Sequence, residues 1–214
     1  MSLDPLNLWL NVTEKIGFYP PGSCQNIPDA PGIYAWYLPL WIYFDDMEEF
    51  VSFVQSVSFY PGEDNEGELI KNRSRIDFRW DGVEVDVKKT PKTPNYENWG
   101  VKWDAMMGDS ESKASFEEAL MKASIFNPPL YIGRADNLAS RYQQHVEGVY
   151  EKNTFNKRFT SHMERLNRNL LVSDLLFVCV PISVKDNMLF NDRQLTELLE
   201  KIMLHTGRPP YSER

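Results

Sequence analysis

At 214 residues the chain is long enough for one domain of ordinary size, or for a compact core that carries a sizeable insertion. Its apolar content is ordinary and its Trp, Tyr and Phe share somewhat raised, which excludes disordered and fibrous classes. The formal charge of −8 excludes a protein that coats nucleic acid by bulk attraction, so any phosphate-binding surface must be local.

In chain order, Leu6, Trp9, Leu10, Thr13 and Ile16 fall near helical spacing behind Asp4-Pro5 and predict a short amphipathic helix over residues 5–16, ended by the loop Tyr19-Pro20-Pro21-Gly22. No basic segment precedes an apolar run here, and no stretch approaches the ~20 apolar residues that span a bilayer, so neither export nor a membrane is expected. Cys24 and Cys179 are the two cysteines and cannot build a disulfide framework or a zinc site; a reducing cytoplasm is the expected setting. Residues 30–37, Ala-Pro-Gly-Ile-Tyr-Ala-Trp-Tyr, are a proline-gated aromatic and β-branched run that predicts a strand.

Residues 38–129 are less regular. A helix is expected near 47–57, and residues 76–87, with Asp81-Gly82 between Phe78/Trp80 and Val83/Val85/Val87, carry a hairpin signal. Residues 90–100 read as loop and 115–123 as a short helix. After Pro128-Pro129 the pattern sharpens. A strand is expected at 130–133, a helix at 137–147 with Asp136 as cap and Gly148 as stop, and a second helix at 159–168. A buried strand at 175–182 and a helix at 191–204 capped by Asp192 complete the series. The order points to an α+β fold with a small mixed or antiparallel sheet flanked by helices.

Two stretches hold the basic residues that nucleic acid would need. One, residues 71–92, contains Lys71, Arg73, Arg75, Lys88 and Lys89; the other, residues 134–168, contains Arg134, Lys157 and Arg158. Acidic residues concentrate elsewhere, in 45–68 and 109–118, and the first of these segments suits a protein partner or a second subunit better than phosphate.

Four short features carry the functional expectation. Gly32-Ile33-Tyr34 and Tyr131-Ile132-Gly133 stand in the first and second core strands. Eight residues beyond Gly133 stands Arg141, followed one helical turn later by His145; near the end Glu200 precedes Pro209-Pro210-Tyr211-Ser212. Together, in this order, they resemble the GIY-YIG nuclease family over residues 27–37 and 130–214, leaving residues 1–26 as an N-terminal helix and loop and 38–129 as an inserted subdomain. Two departures stand out: the long stretch between the motif strands, and Ser212 where the family ends on Asn.

The resemblance implies a metal-dependent endonuclease that hydrolyses phosphodiester bonds, with DNA the favoured substrate. In that scheme Tyr34 is the general base, Arg141 the phosphate clamp and Glu200 the ligand of Mg²⁺ or Mn²⁺, while Tyr131, His145 and Arg134 assist. The residue types suit the chemistry. A guanidinium grips phosphate oxygens bidentately, and a carboxylate offers the hard oxygen such ions prefer. At i and i+4, Arg141 and His145 share one helix face beside an apolar stripe of Leu138, Tyr142 and Val146. A tyrosine acting as base needs a cation nearby, since its hydroxyl ordinarily titrates near ~10. Periodicity alone does not separate Glu200 from Glu197, because the stripe Leu195, Leu198, Leu199 and Ile202 leaves both off its face. The alternative reading is a nucleic-acid-binding or protein-interaction module that keeps the fold without turnover. Scattered histidines and the absence of a phosphate loop or a Gly-x-Ser-x-Gly elbow argue against zinc, nucleotide-driven or triad chemistry.

Overall fold

The computed structural model describes residues 16–58, 74–75, 88–89, 97–148, 154–183, 191–207 and 209–212. Four strands, β1 (Gly17–Tyr19), β2 (Gly32–Tyr37), β5 (Tyr131–Ala135) and β6 (Leu176–Pro181), form one antiparallel sheet in the order β1-β6-β2-β5. Two short strands, β3 (Ser74–Arg75) and β4 (Lys88–Lys89), pair in a separate ribbon. Six helices are described: α1 (Met47–Ser58), α2 (Glu97–Met107), α3 (Ser110–Ala123), α4 (Leu138–Glu147), α5 (Thr154–Arg165) and α6 (Asp192–Gly207). The chain is thus mixed α and β around a small antiparallel sheet.

Alternation along β2 determines which side chains enter the core. Gly32, Tyr34 and Trp36 are buried on one face, while Ile33, Ala35 and Tyr37 are half-buried on the other. The first face continues across the sheet through Cys179 and Phe177, which stand opposite Tyr34 and Trp36 on β6. Trp36 stacks on Tyr142 of α4 at 5.5 Å and meets Phe155 of α5 at 6.2 Å and Phe177 at 4.8 Å, so α4 and α5 cover this face with aromatic contacts. On the opposite face α6 lies along β5 and β2, and Ile132 reaches Gly207. Leu38, Phe53 and Val57, from the segment expected as an inserted subdomain, belong to the same hydrophobic cluster as Tyr34 and Trp36.

Several boundaries differ from the sequence expectation for identifiable reasons. The cap of α4 is Asn137, not Asp136: its side chain accepts from Ser140 N at 2.8 Å, which leaves the Asp136 carboxylate for other work. In α6 Asn191 takes the place expected of Asp192, accepting from Gln194 N while Gln194 Oε1 accepts from Asn191 N. Gly148 ends α4 in the left-handed conformation, φ 63, as expected. Strand β1 was not foreseen, because three residues have no periodicity of their own and form by pairing Gly17 to Tyr19 against Cys179 to Phe177. Within the stretch read as loop, Glu97 opens α2, which is held by Trp103 packing at 5.5 Å on Phe50 of α1. Ser110, capped by Asp109, starts α3 five residues before the expected helix.

The helix expected at 5–16 and the turn Asp81-Gly82 lie outside the described residues. The ribbon register pairs Arg75 with Lys88, and Asp81-Gly82 is the sequence midpoint between those two residues.

The chain's last described residues close the edge of the sheet. Tyr211 N donates to Leu130 O at 3.0 Å, and the Ser212 hydroxyl accepts from Ile132 N at 3.2 Å. Ser212 therefore does a backbone-pairing job that a hydroxyl can manage in place of an amide side chain. The Tyr211 ring is fully buried, 5.6 Å from Phe159, with its hydroxyl hydrogen-bonded to His162 Nδ1.

Burial pushes the His162 pKa down to about 4, and Arg165 adds to the effect. The folded state thus holds the neutral ring, whereas the unfolded chain takes up a proton near ~6.5. The stabilisation is complete above that pH and is lost as the pH falls towards about 4. Replacing His162 with Asn is expected to flatten this dependence while lowering stability at neutral pH by about 1–3 kcal/mol. Thermal midpoints of both proteins between pH 4 and pH 7 test this; parallel curves would mean that His162 does not set the acid limb.

Candidate active site

Tyr34 is 1% exposed, and a phenol so placed needs hydrogen-bond partners within the protein. It has two. Its hydroxyl lies 2.7 Å from His145 Nε2 and accepts from Arg141 Nε at 3.1 Å. Both partners come from α4, whose i and i+4 spacing brings them to the same tyrosine. The ring of Tyr131 stacks on Tyr34 at 6.0 Å and meets His145 edge-on at 5.5 Å. Three of the residues expected to act together, Tyr34, Arg141 and His145, are hydrogen-bonded, and Tyr131 joins them by ring contact and through its hydroxyl, which hydrogen-bonds with Tyr34 and Arg141.

The glycines of the two motif triplets have steric reasons. A Cβ on Gly133, which stands directly opposite Tyr34, would lie 2.5 Å from the Tyr34 hydroxyl and 2.8 Å from the Tyr131 ring. One on Gly32 would lie 2.4 Å from the Val180 carbonyl oxygen. Gly133 therefore makes the space in which the two tyrosines and the histidine meet.

Beside this cluster lies a cleft of about 490 Å³, lined by Arg134, Ala135, Asp136, Asn137, Ser140, Arg141, Gln144 and Glu200. It wraps the end of β5 away from the Tyr211–Ser212 pairing. Arg141 reaches it from one face of the sheet and Glu200, on α6, from the other. Arg134 points to the α6 side, because Ile132 and Arg134 alternate with Tyr131 and Gly133 along β5. There Arg134 Nε stands 3.2 Å from Glu200 Oε2. Glu197, the alternative carboxylate, is paired with Lys201 at 2.9 Å and does not line the cleft.

The placement of Glu200 corrects the expected packing of α6. Only part of its apolar stripe turns inward: Leu195 and Leu199 are half-buried, Leu198 and Ile202 are exposed, and the one buried residue described on the helix is Thr196. Glu200, one turn beyond Thr196, follows it towards the sheet. His145 also differs from expectation. Rather than presenting its ring beside Arg141, it is buried at 1% exposure beneath the tyrosines, and only Arg141 of the pair lines the cleft.

Burial drives the Tyr34 pKa well above its ordinary value, with the neighbouring Tyr131 acting in the same direction; Arg141 opposes both and does not prevail. For Arg141 itself burial works against the charge, and the hydroxyls of Tyr34 and Tyr131 outweigh it, so the guanidinium is firmly charged. Arg141 also donates from Nη1 to Gln144 Oε1 at 3.0 Å, and Gln144 Nε2 donates to the Ser140 hydroxyl at 3.3 Å. Gln144 was not anticipated as a site residue, although its i+3 relation to Arg141 was legible in the sequence.

Of the other expected residues, Lys157 is exposed and Arg158 half-buried on α5, and neither lines the cleft. Arg75, Lys88 and Lys89 stand in the β3–β4 ribbon, while Lys71 and Arg73 lie outside the described residues. No group of three or more His, Cys, Asp and Glu residues suited to a metal is found among the described residues. The donors in the cleft, Glu200 and Asp136, are hard carboxylate oxygens. One or two of these are what a protein commonly contributes to Mg²⁺, which retains waters and takes substrate phosphate oxygens, so the donor set fits that ion.

No family model matches this chain, and no curated protein or solved structure matches it either.

Gly133→Ala tests the geometry directly. The added methyl group should force apart Tyr34 and Tyr131 and destabilise the fold by about 1–3 kcal/mol, the usual cost of overpacking. Denaturant unfolding measures it, and an unchanged midpoint would show that the tyrosine pair is not confined as described.

Proposed function

We propose that this protein is a metal-dependent endonuclease that hydrolyses phosphodiester bonds, and that the cleft between α4 and α6 is its active site. The observation that carries the reading is the hydrogen-bonded group Tyr34–His145–Arg141 behind a cleft whose far wall bears Glu200. Hydrolysis of a phosphodiester requires a proton acceptor for water, a cationic grip on phosphate and compensation of developing charge, and these residues supply the three.

Arg141 covers the Tyr34 hydroxyl from the cleft side. A phosphate drawn to the guanidinium loosens that hydrogen bond and opens the hydroxyl to water. The raised pKa makes a free phenolate costly, so Tyr34 works as a relay: its oxygen takes a proton from the attacking water as its own proton passes to His145 Nε2. This direction assigns His145 the tautomer protonated on Nδ1. Gln144 keeps the Arg141 fork oriented towards the cleft. Mg²⁺ or Mn²⁺ held by Glu200 would supply positive charge near the developing oxyanion and the departing oxygen. DNA is favoured over RNA by the resemblance of the motifs alone, and the β3–β4 ribbon, with Arg75, Lys88 and Lys89, is the candidate surface for choosing the target.

Two substitutions test the reading on a panel of duplex, single-stranded and branched nucleic acids with Mg²⁺ or Mn²⁺. Glu200→Ala should reduce cutting by at least about 100-fold without weakening nucleic-acid binding, because it removes a carboxylate and no phosphate-gripping cation. Tyr34→Phe should also cost at least about 100-fold in rate. It should lower stability by about 1–3 kcal/mol, because it leaves Arg141 and His145 without their shared partner. Wild-type rates in both variants would reject the assignment. A wild-type chain that binds the panel and cuts none of it would be a binding module on the same fold.

A further inference from the structure

Glu200 does not wait in the cleft as an isolated carboxylate. Its Oε2 lies 3.2 Å from Arg134 Nε, and the two side chains are 23% and 27% exposed, so the pair is partly withdrawn from solvent. Residue alternation on β5 fixes Arg134 on the α6 side, and the residue opposite it on β2 is the uncharged Ile33. A guanidinium keeps its charge at any ordinary pH, so this countercharge is permanent. A hard divalent cation seeks the same carboxylate oxygens, and a second positive charge at that distance repels it.

We propose that Arg134 is a built-in counter-ion for the metal-binding carboxylate: it holds Glu200 until a divalent cation displaces it, and the guanidinium so released is then available to a phosphate of the substrate. The proposal rests on reading Glu200 as the metal ligand. No bond is broken in the exchange. Charge moves from an Arg134–Glu200 pair to a cation–Glu200 contact plus an Arg134–phosphate contact, so cation and nucleic acid favour each other's binding. Arg134 is in this sense a positioning residue, acting on metal affinity through Glu200.

Mn²⁺ binding to the full chain without nucleic acid, followed by the electron paramagnetic resonance of the free ion, provides the test. Arg134→Gln should bind Mn²⁺ about 10-fold more tightly than wild type, and the difference should shrink as salt rises, as expected of a partly exposed pair. Arg134→Lys, which keeps the charge, should stay closer to wild type than to Arg134→Gln. Glu200→Gln and the double variant should lose the site. Equal affinities for wild type and Arg134→Gln would overturn the counter-ion proposal and leave Glu200 as the ligand. Lys behaving like Gln would overturn it as well, since charge would not be the cause. Binding that survives Glu200→Gln would remove Glu200 from the metal site, transfer the role to Asp136, and take this proposal with it. The thermal midpoint of each variant verifies folding, and cutting by wild type on the nucleic-acid panel reports separately on the nuclease reading.

Discussion

A buried phenol that cannot be left without partners governs this molecule. The face of the sheet formed by Tyr34, Trp36, Tyr131, Phe177 and Cys179 is covered by α4 and α5, and ring contacts on that face hold the helices in place. Burying Tyr34 there would cost free energy if its hydroxyl had no partner, and α4 meets the requirement with His145 and Arg141. Core and candidate site are therefore one object. The same aromatic packing that fixes α4 also fixes the distances between an imidazole, a phenol and a guanidinium, so the candidate site is positioned by the packed core rather than by a loop.

The end of strand β5 is where the two faces of the sheet can cooperate. An edge strand presents unpaired backbone groups, and here the segment through Tyr211 and Ser212 satisfies those of Leu130 and Ile132. Beyond that segment, Arg134 and Ala135 border the cleft. Because side chains alternate along the strand, Tyr131 and Gly133 serve the α4 side and Arg134 the α6 side. A five-residue strand thus brings Arg141 and Glu200, from opposite faces of the sheet, to one cleft. The burial of Tyr211 against Phe159 and His162 matters for the same reason: it anchors the segment that flanks β5.

What could be read in the sequence followed from period and from local chemistry. The alternation of Ile33-Tyr34-Ala35-Trp36 gave the central strand and the opposed faces, and the i, i+4 relation of Arg141 and His145 gave their convergence on one side of α4. Gly148 gave the helix end through its tolerance of positive φ. Features set by tertiary contact were not legible. Strand β1 exists because β6 needs a neighbour, and α2 because Trp103 packs against Phe50. The apolar stripe of α6 was only partly informative: Leu195 and Leu199 are half-buried while Leu198 and Ile202 lie outward, and the face directed to the sheet carries Thr196 and Glu200, which no apolar periodicity marks. The caps were misplaced by one residue in both α4 and α6, because Asn outcompetes the adjacent Asp when its side chain reaches the third backbone N–H. That single-residue shift has a chemical outcome in α4, where Asp136 is left to line the cleft.

The electrostatics of the cleft resolve an apparent conflict with the chain's acidity. A protein of net charge −8 repels a polyanion on average, so the proposed nuclease reading requires local cations. Both cleft arginines are engaged by groups they adjoin, Arg141 by the Tyr34 hydroxyl and Gln144, and Arg134 by Glu200. These engagements are unequal. A neutral phenol leaves the charge of Arg141 uncompensated and directed to the cleft, so that arginine can attract phosphate at once. A carboxylate offsets the charge of Arg134, so that arginine becomes attractive only when something else neutralises Glu200. Under the proposed reading, the first cation recruits the phosphate and the second strengthens the grip once a divalent cation occupies the carboxylate, which would confine the full positive field to the moment when all the reacting parts are present.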